Sequence, residues 1–142
     1  MNLIAKYEGV DPEYIEINNG LWEEALKETV TLVKKLVEVE KFHPSQITIL
    51  TPHSRDEVKV KNLKYSNTKS IEGLGVGVSS VFKFKGLEND IVIFLIPNVS
   101  SLEAKYVRNP LNLVYVGISR AKFLLFLIGN KEIKNQINWN KS

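Results

Sequence analysis

The chain reads as an α/β domain built on a mainly parallel sheet. Two runs, Ile91–Ile96 and Phe123–Ile128, are apolar without interruption, as strands covered on both faces are. Between Leu21 and Glu40 the apolar residues Trp22, Leu26, Val30, Val33, Leu36 and Val37 recur at helical spacing. Long helices alternating with buried strands argue for helical layers on a parallel sheet. A length of 142 residues suits a single domain, 1–142, with one substantial core.

Leu3–Tyr7 and Tyr14–Ile17 are short and apolar-rich, and Gly9, Asp11 and Pro12 separate them. This predicts two extended segments around a turn. Asn18-Asn19-Gly20 breaks the chain before the long helix, whose first turn carries Glu23 and Glu24 in keeping with the helix dipole. Trp22 reads as a core anchor, and Pro44 and Ser45 end the unit. Ile47–Leu50 is a buried strand that leaves through Thr51-Pro52-His53. Ser54-Arg55-Asp56-Glu57 has capping-box spacing and predicts the start of a short helix.

Residues 61–77 are polar, then glycine-rich at Gly73, Gly75 and Gly77, and read as a connection without a defined form. These glycines do not match a dinucleotide fingerprint. Val78–Phe82 is a strand and Ile91–Ile96 a central one. Asn109-Pro110 has the N-cap and N1 pattern, which predicts a helix to about Ala121. Phe123–Ile128 is closed by Gly129-Asn130, and Lys131–Ile137 forms a short last helix.

Apolar residues make up 44% of the chain and charged residues 25%, ordinary values for a globular protein. No apolar run approaches the roughly 20 residues that span a bilayer, so no membrane partner is expected. Met1–Lys6 lacks the apolar core of a secretory signal, which makes a cytoplasmic location the expectation. The absence of cysteine excludes disulfides and Cys-based zinc sites. His43 and His53 sit on different segments and form no ligand pair, so no metal site is expected. The net charge of +3 and pI of about 9.0 suit a phosphate-bearing partner, and equally many domains that have none. The densest positive stretch, Lys59-Val60-Lys61-Asn62-Leu63-Lys64-Tyr65, reads first as a solvated helix end or loop.

Two segments carry chemistry. Ser80-Val81-Phe82-Lys83-Phe84-Lys85-Gly86-Leu87-Glu88 ends a strand in a glycine that lets the backbone turn sharply or approach a ligand. The carboxylate after it can accept hydrogen bonds from a ribose, or simply be an exposed charge on a strand link. Asn112-Leu113-Val114-Tyr115-Val116-Gly117-Ile118-Ser119-Arg120-Ala121-Lys122 puts Arg120 near the end of a mostly apolar helix. Such an arginine is either a structural ion-pair partner or a planar fork for phosphate oxygens.

In that order, the two segments resemble motifs V and VI of UvrD/Rep-type superfamily 1 DNA helicases. The resemblance covers most of the chain, about residues 14–130. It implies a three-layer RecA-like domain, the second of two motor domains, with Gly86 shaping a turn, Glu88 on the nucleotide sugar and Arg120 as the γ-phosphate sensor. Ser80 and Phe82 fall where the family has threonine and histidine on the nucleic-acid side. Serine keeps a hydroxyl for a phosphate, and phenylalanine keeps a ring that can stack on a base or pack in the core. His53, Ser54 and Arg55 fall in a loop that faces single-stranded DNA in the family.

The chain has no Gly-x-x-x-x-Gly-Lys-Ser/Thr phosphate loop. The family's Asn-Tyr-Arg-Ser segment and magnesium-binding Asp-Glu pair have no match either. The resemblance therefore implies the carboxyl-terminal part of a longer ATP-dependent DNA helicase or translocase. Its ATP site would be shared with an amino-terminal RecA-like domain and would use ATP and Mg2+ in the full-length parent. No ligand is expected on the isolated domain. The alternative is a non-catalytic nucleic-acid or protein interaction module that retains the fold.

Overall fold

The computed structural model describes residues 11–83, 87–102 and 110–137. Its strands are β1 (Asp11–Glu16), β2 (Ile47–Thr51), β3 (Gly77–Ser80), β4 (Asn89–Ile96) and β5 (Ala121–Gly129). They form one sheet in the order β1-β5-β4-β2-β3, and every pairing is parallel. The run expected to be central is central: all of Ile91–Ile96 is buried.

Alternation along β4 divides the core. Ile91, Ile93 and Leu95 join Ile47, Ile49, Phe126 and Ile128 on one face. Val92, Phe94 and Ile96 join Leu50, Leu125 and Leu127 on the other. α1 (Trp22–Lys34), α2 (Glu57–Lys61) and α3 (Ile71–Leu74) bring Ala25, Val33, Val60 and Ile71 to the first face. α4 (Pro110–Ile118) and α5 (Lys131–Gln136) bring Leu113, Val114 and Ile133 to the second. The result is three layers, helix on sheet on helix.

The long helix forms as its periodicity predicts, but its end is π-helical over Lys35–Val39. It stops at Lys41, which takes the left-handed conformation with φ 66°. At its start Glu24 accepts hydrogen bonds from the backbone N–H groups of Asn18 and Asn19, both at 2.8 Å. Those bonds hold its carboxyl below the usual range.

Several expectations are corrected. Asp11 and Pro12 lie inside β1 rather than in a turn. β1 pairs only with β5 among the described residues, and an edge strand tolerates the missing proline N–H. Ser54 is not the cap of the following helix: α2 is preceded by Asp56, which makes no side-chain cap, and His53 caps the 3-10 turn Ser54–Asp56 that leads into it, its Nδ1 accepting from the N–H of Arg55 at 3.1 Å. β3 stops at Ser80, before Phe82. The undefined stretch 61–77 contains α3, capped by the Ser70 hydroxyl. Finally, α4 ends at Ile118, short of Ala121. Ser119 Oγ donates to the Val116 carbonyl at 2.8 Å and closes the last turn, so Arg120 sits past the helix. Leu3–Tyr7, Lys85-Gly86 and Asn109 lie outside the described residues.

Candidate functional site

At the amino ends of β4 and β5, two of the segments singled out in the sequence meet. The N–H of Asn89 donates to the carbonyl of Arg120 at 2.9 Å, and Asn89 lies opposite Ala121 in the sheet. Glu88, exposed, therefore stands beside the turn that holds Arg120. That turn is fixed by its backbone, since the Arg120 N–H donates to Gly117 and the Ser119 N–H to Tyr115, both at 3.1 Å. Asn89 anchors the neighbouring floor. Its Nδ2 donates to the Ser45 carbonyl at 3.0 Å and to Thr48 Oγ1 at 2.9 Å, while Gln46 Nε2 donates to Asp90 at 3.0 Å.

Arg120 is only half-buried, yet its Nε is shielded from water and has no hydrogen-bond partner among the described residues. A buried donor left unpaired costs about 1–3 kcal/mol. The register then slips: Asn89 faces Ala121 but Ile91 faces Leu124. Lys122 and Phe123 thus bulge against the single residue Asp90, an irregularity rare in parallel pairs. Phe123 sits with its ring 6.3 Å from that of Phe42. Sequence reasoning passed over this bulge, because its signal is register.

The other candidate residues gather at the opposite, carboxyl ends of β2 and β3, on the order of 15 Å away along a five-residue strand. Thr51 pairs with Ser80, and the N–H of Val81 donates to the Thr51 carbonyl at 2.9 Å. His53, Ser54 and Arg55 thereby lie next to Phe82. Ser54, Arg55 and Phe82 are exposed. Ser80 is buried, and its Oγ accepts from the N–H of Lys83 at 3.3 Å. Its hydroxyl is thus engaged inside the turn that presents Phe82.

Glu57 was the residue missed. It is buried at the start of α2 and accepts from the N–H of Ser80 at 2.9 Å. Lys83 and Lys61 approach it at 3.3 and 3.6 Å. Burial pushes its carboxyl up, but the Ser80 hydrogen bond and the two lysines win and hold it below its ordinary value. Its only signal in the sequence was capping-box spacing, which hid its long-range role. Among the described residues no cluster of three His, Asp or Glu could hold a metal ion, and no helix is long and apolar enough to cross a membrane.

A family profile described as an AAA domain matches residues 16–132. The chain belongs to this AAA domain family. The AAA domain is 33% identical over 104 residues to human NFX1-type zinc finger-containing protein 1, a match spanning 72% of this chain and 5% of that protein. It therefore corresponds to a small part of that relative. The fold is shared with the C-terminal domain of a possible DNA helicase from Lactobacillus plantarum WCFS1. The TM-score is 0.60 at 19% identity, over 96% of this chain and 85% of the other. The three-layer, parallel architecture of the AAA domain is thus RecA-like, the fold class expected from the sequence.

Proposed function

We propose that this AAA domain is the second, carboxyl-terminal motor domain of an ATP-dependent DNA helicase or translocase of the UvrD/Rep type. One observation carries the reading: Arg120 is held by its backbone beside Glu88, with a shielded Nε that has no partner among the described residues. A shift of the half-buried side chain toward the surface would let an anion pair with that donor. In the proposed reaction the substrate ATP lies between this amino-end surface and a first motor domain that supplies the phosphate loop and holds Mg2+. The Arg120 fork donates to γ-phosphate oxygens and offsets the charge that builds as the terminal phosphoryl group departs. Glu88 accepts from a ribose hydroxyl.

At the far ends of β2 and β3, Arg55 takes a backbone phosphate of single-stranded DNA and the Phe82 ring stacks on a base. Closure on ATP and opening after hydrolysis move the strand. On this reading the domain alone turns over no ATP.

The test is Arg120→Ala in the full-length protein that carries this domain. Hydrolysis should fall by ~10³ or more, the range of arginine-finger effects, with melting unchanged. Arg120→Lys should restore little, because an ammonium lacks the planar fork. A stable Arg120→Ala protein with near-normal turnover would reject the assignment.

A further inference from the structure

A further basic surface adjoins the β2–β3 group through Lys61, which approaches Glu57. Between α2 and residues 64–70 opens a cleft of about 510 Å³, lined in part by Lys61, Asn62, Lys64, Asn67, Thr68 and Lys69. Its outer wall is a tight hairpin. Lys64 and Ser70 bridge in antiparallel fashion. The N–H groups of Tyr65 and Ser66 donate to the Lys69 carbonyl at 2.9 and 3.0 Å, and Ser66 Oγ accepts from Thr68 and Lys69 at 3.3 and 3.2 Å. The Tyr65 hydroxyl, bonded to Glu38, ties the hairpin to the long helix.

Three lysines and one carboxylate, Glu72, line the cleft. Among the described residues Glu72 reaches only Lys61, at 4.0 Å. Neither Lys64 nor Lys69 has an ion-pair partner among the described residues. Lys61 is already paired with Glu57 and Glu72, so Lys64 and Lys69, both exposed on the hairpin, are the positive charges left to attract an anion.

We infer that this cleft is a phosphate-binding site for the backbone of single-stranded nucleic acid, in which Lys64 and Lys69 grip the strand and Asn62, Asn67 and Thr68 donate to it. Its position favours a strand over an isolated anion. Lys61 follows Arg55 by six residues along the same segment, about 9 Å at helical rise. Lys83, largely exposed, flanks the same edge. The basic line runs on from the carboxyl end of β2, so the inference rests on the nucleic-acid reading above and lengthens its track.

The experiment titrates a fluorescein-labelled oligothymidylate into the full chain by anisotropy at several salt concentrations. The proteins are wild type, Lys64→Glu with Lys69→Glu, the same pair changed to Gln, and Arg55→Glu. Loss of two phosphate contacts should weaken binding ~10-fold or more at low salt and flatten the salt slope by about 1.4, at 0.7 per phosphate for a single strand. Both lysine pairs should melt like wild type, since the side chains are exposed. Wild-type affinity in both lysine variants, with Arg55→Glu weakened, would overturn the cleft while leaving the β2–β3 track. No oligonucleotide binding by any protein would overturn both. Competition by polyglutamate as effective as by unlabelled oligonucleotide would overturn the assignment in favour of an acidic protein segment.

Discussion

The carboxylate of Glu57, at the start of α2, accepts a hydrogen bond from the N–H of Ser80, at the end of β3, over 2.9 Å. β3 is an edge strand among the described residues, so this contact caps a backbone donor that none of the other described strands reaches. Removing the side chain leaves that donor and Lys83 without their partner, a cost of about 1–3 kcal/mol. Glu57→Ala should lower the melting temperature accordingly. The pH dependence has a defined sign. The folded-state value lies below the ordinary 4.5, so the charged form contributes stability above 4.5 that is lost as pH falls through the lower folded value. The melting gap between wild type and Glu57→Gln should close on acidification through that window. A gap that persists in acid would contradict the assignment.

Gly117→Ala should destabilise the protein, although alanine is the better helix former. A Cβ there would lie 2.5 Å from Cε2 of Phe94, which is fully buried. The helix-propensity gain of about 1 kcal/mol is outweighed by overpacking at about 1–3 kcal/mol. Melting measured for Gly117→Ala, Phe94→Leu and the double variant forms the check. The double variant should be more stable than the sum of the two single losses implies.

Phe82 and Arg55 should separate by their response to salt. Phe82→Ala should weaken oligonucleotide binding about fivefold or more, the lower end of base stacking at 1–3 kcal/mol, and leave the salt slope unchanged. Arg55→Ala should reduce that slope by about 0.7, the share of one phosphate. Phe82→Trp should restore affinity if the ring stacks on a base, and fail to do so if the ring serves packing.

Alkaline pH should act through Tyr14. Burial, then the charge of Glu16, pushes its phenol well above the ordinary value of 10, and its hydroxyl donates to the Asn130 carbonyl at 2.6 Å. A raised folded-state value contributes stability that is present below 10 and lost as pH rises beyond it. Tyr14→Phe should cost about 0.5–1.5 kcal/mol near neutrality and flatten the alkaline fall in denaturant stability. An equally steep fall in both proteins would assign it to other groups.

The strands Ile91–Ile96 and Phe123–Ile128 were legible because burial on both faces demands an apolar residue at every position. The helix from Trp22 was legible because its apolar stripe keeps one period for four turns. Less legible were features set by partners distant in sequence. Pro12 looks like a turn residue until β1 is known to be an edge. Glu57 looks like a local cap until β3 arrives beside it. Arg120 looks helical because Ser119, whose hydroxyl closes the last turn, is also tolerated within a helix. The Lys122–Phe123 bulge exists only in the register of β5 against β4. The residues of the candidate site were named from the motifs, whereas their division between opposite ends of the sheet came from strand order.

That order has a consequence for how the chain acquires its shape. β5 lies between β1 and β4, with Asp11 opposite Leu124 and Asn89 opposite Ala121. The first and last strands must find each other across nearly the whole described chain, a non-local closure of the kind that slows folding. Until β5 is made, β1 has no partner strand among the described residues and β4 offers a bare apolar edge, the sort of surface that pairs with the wrong chain. Synthesis interrupted before Ala121 would leave the three strands β4, β2 and β3 as a sheet, with β1 detached from it. Damage to β5 should likewise release β1 while β4, β2 and β3 stay paired.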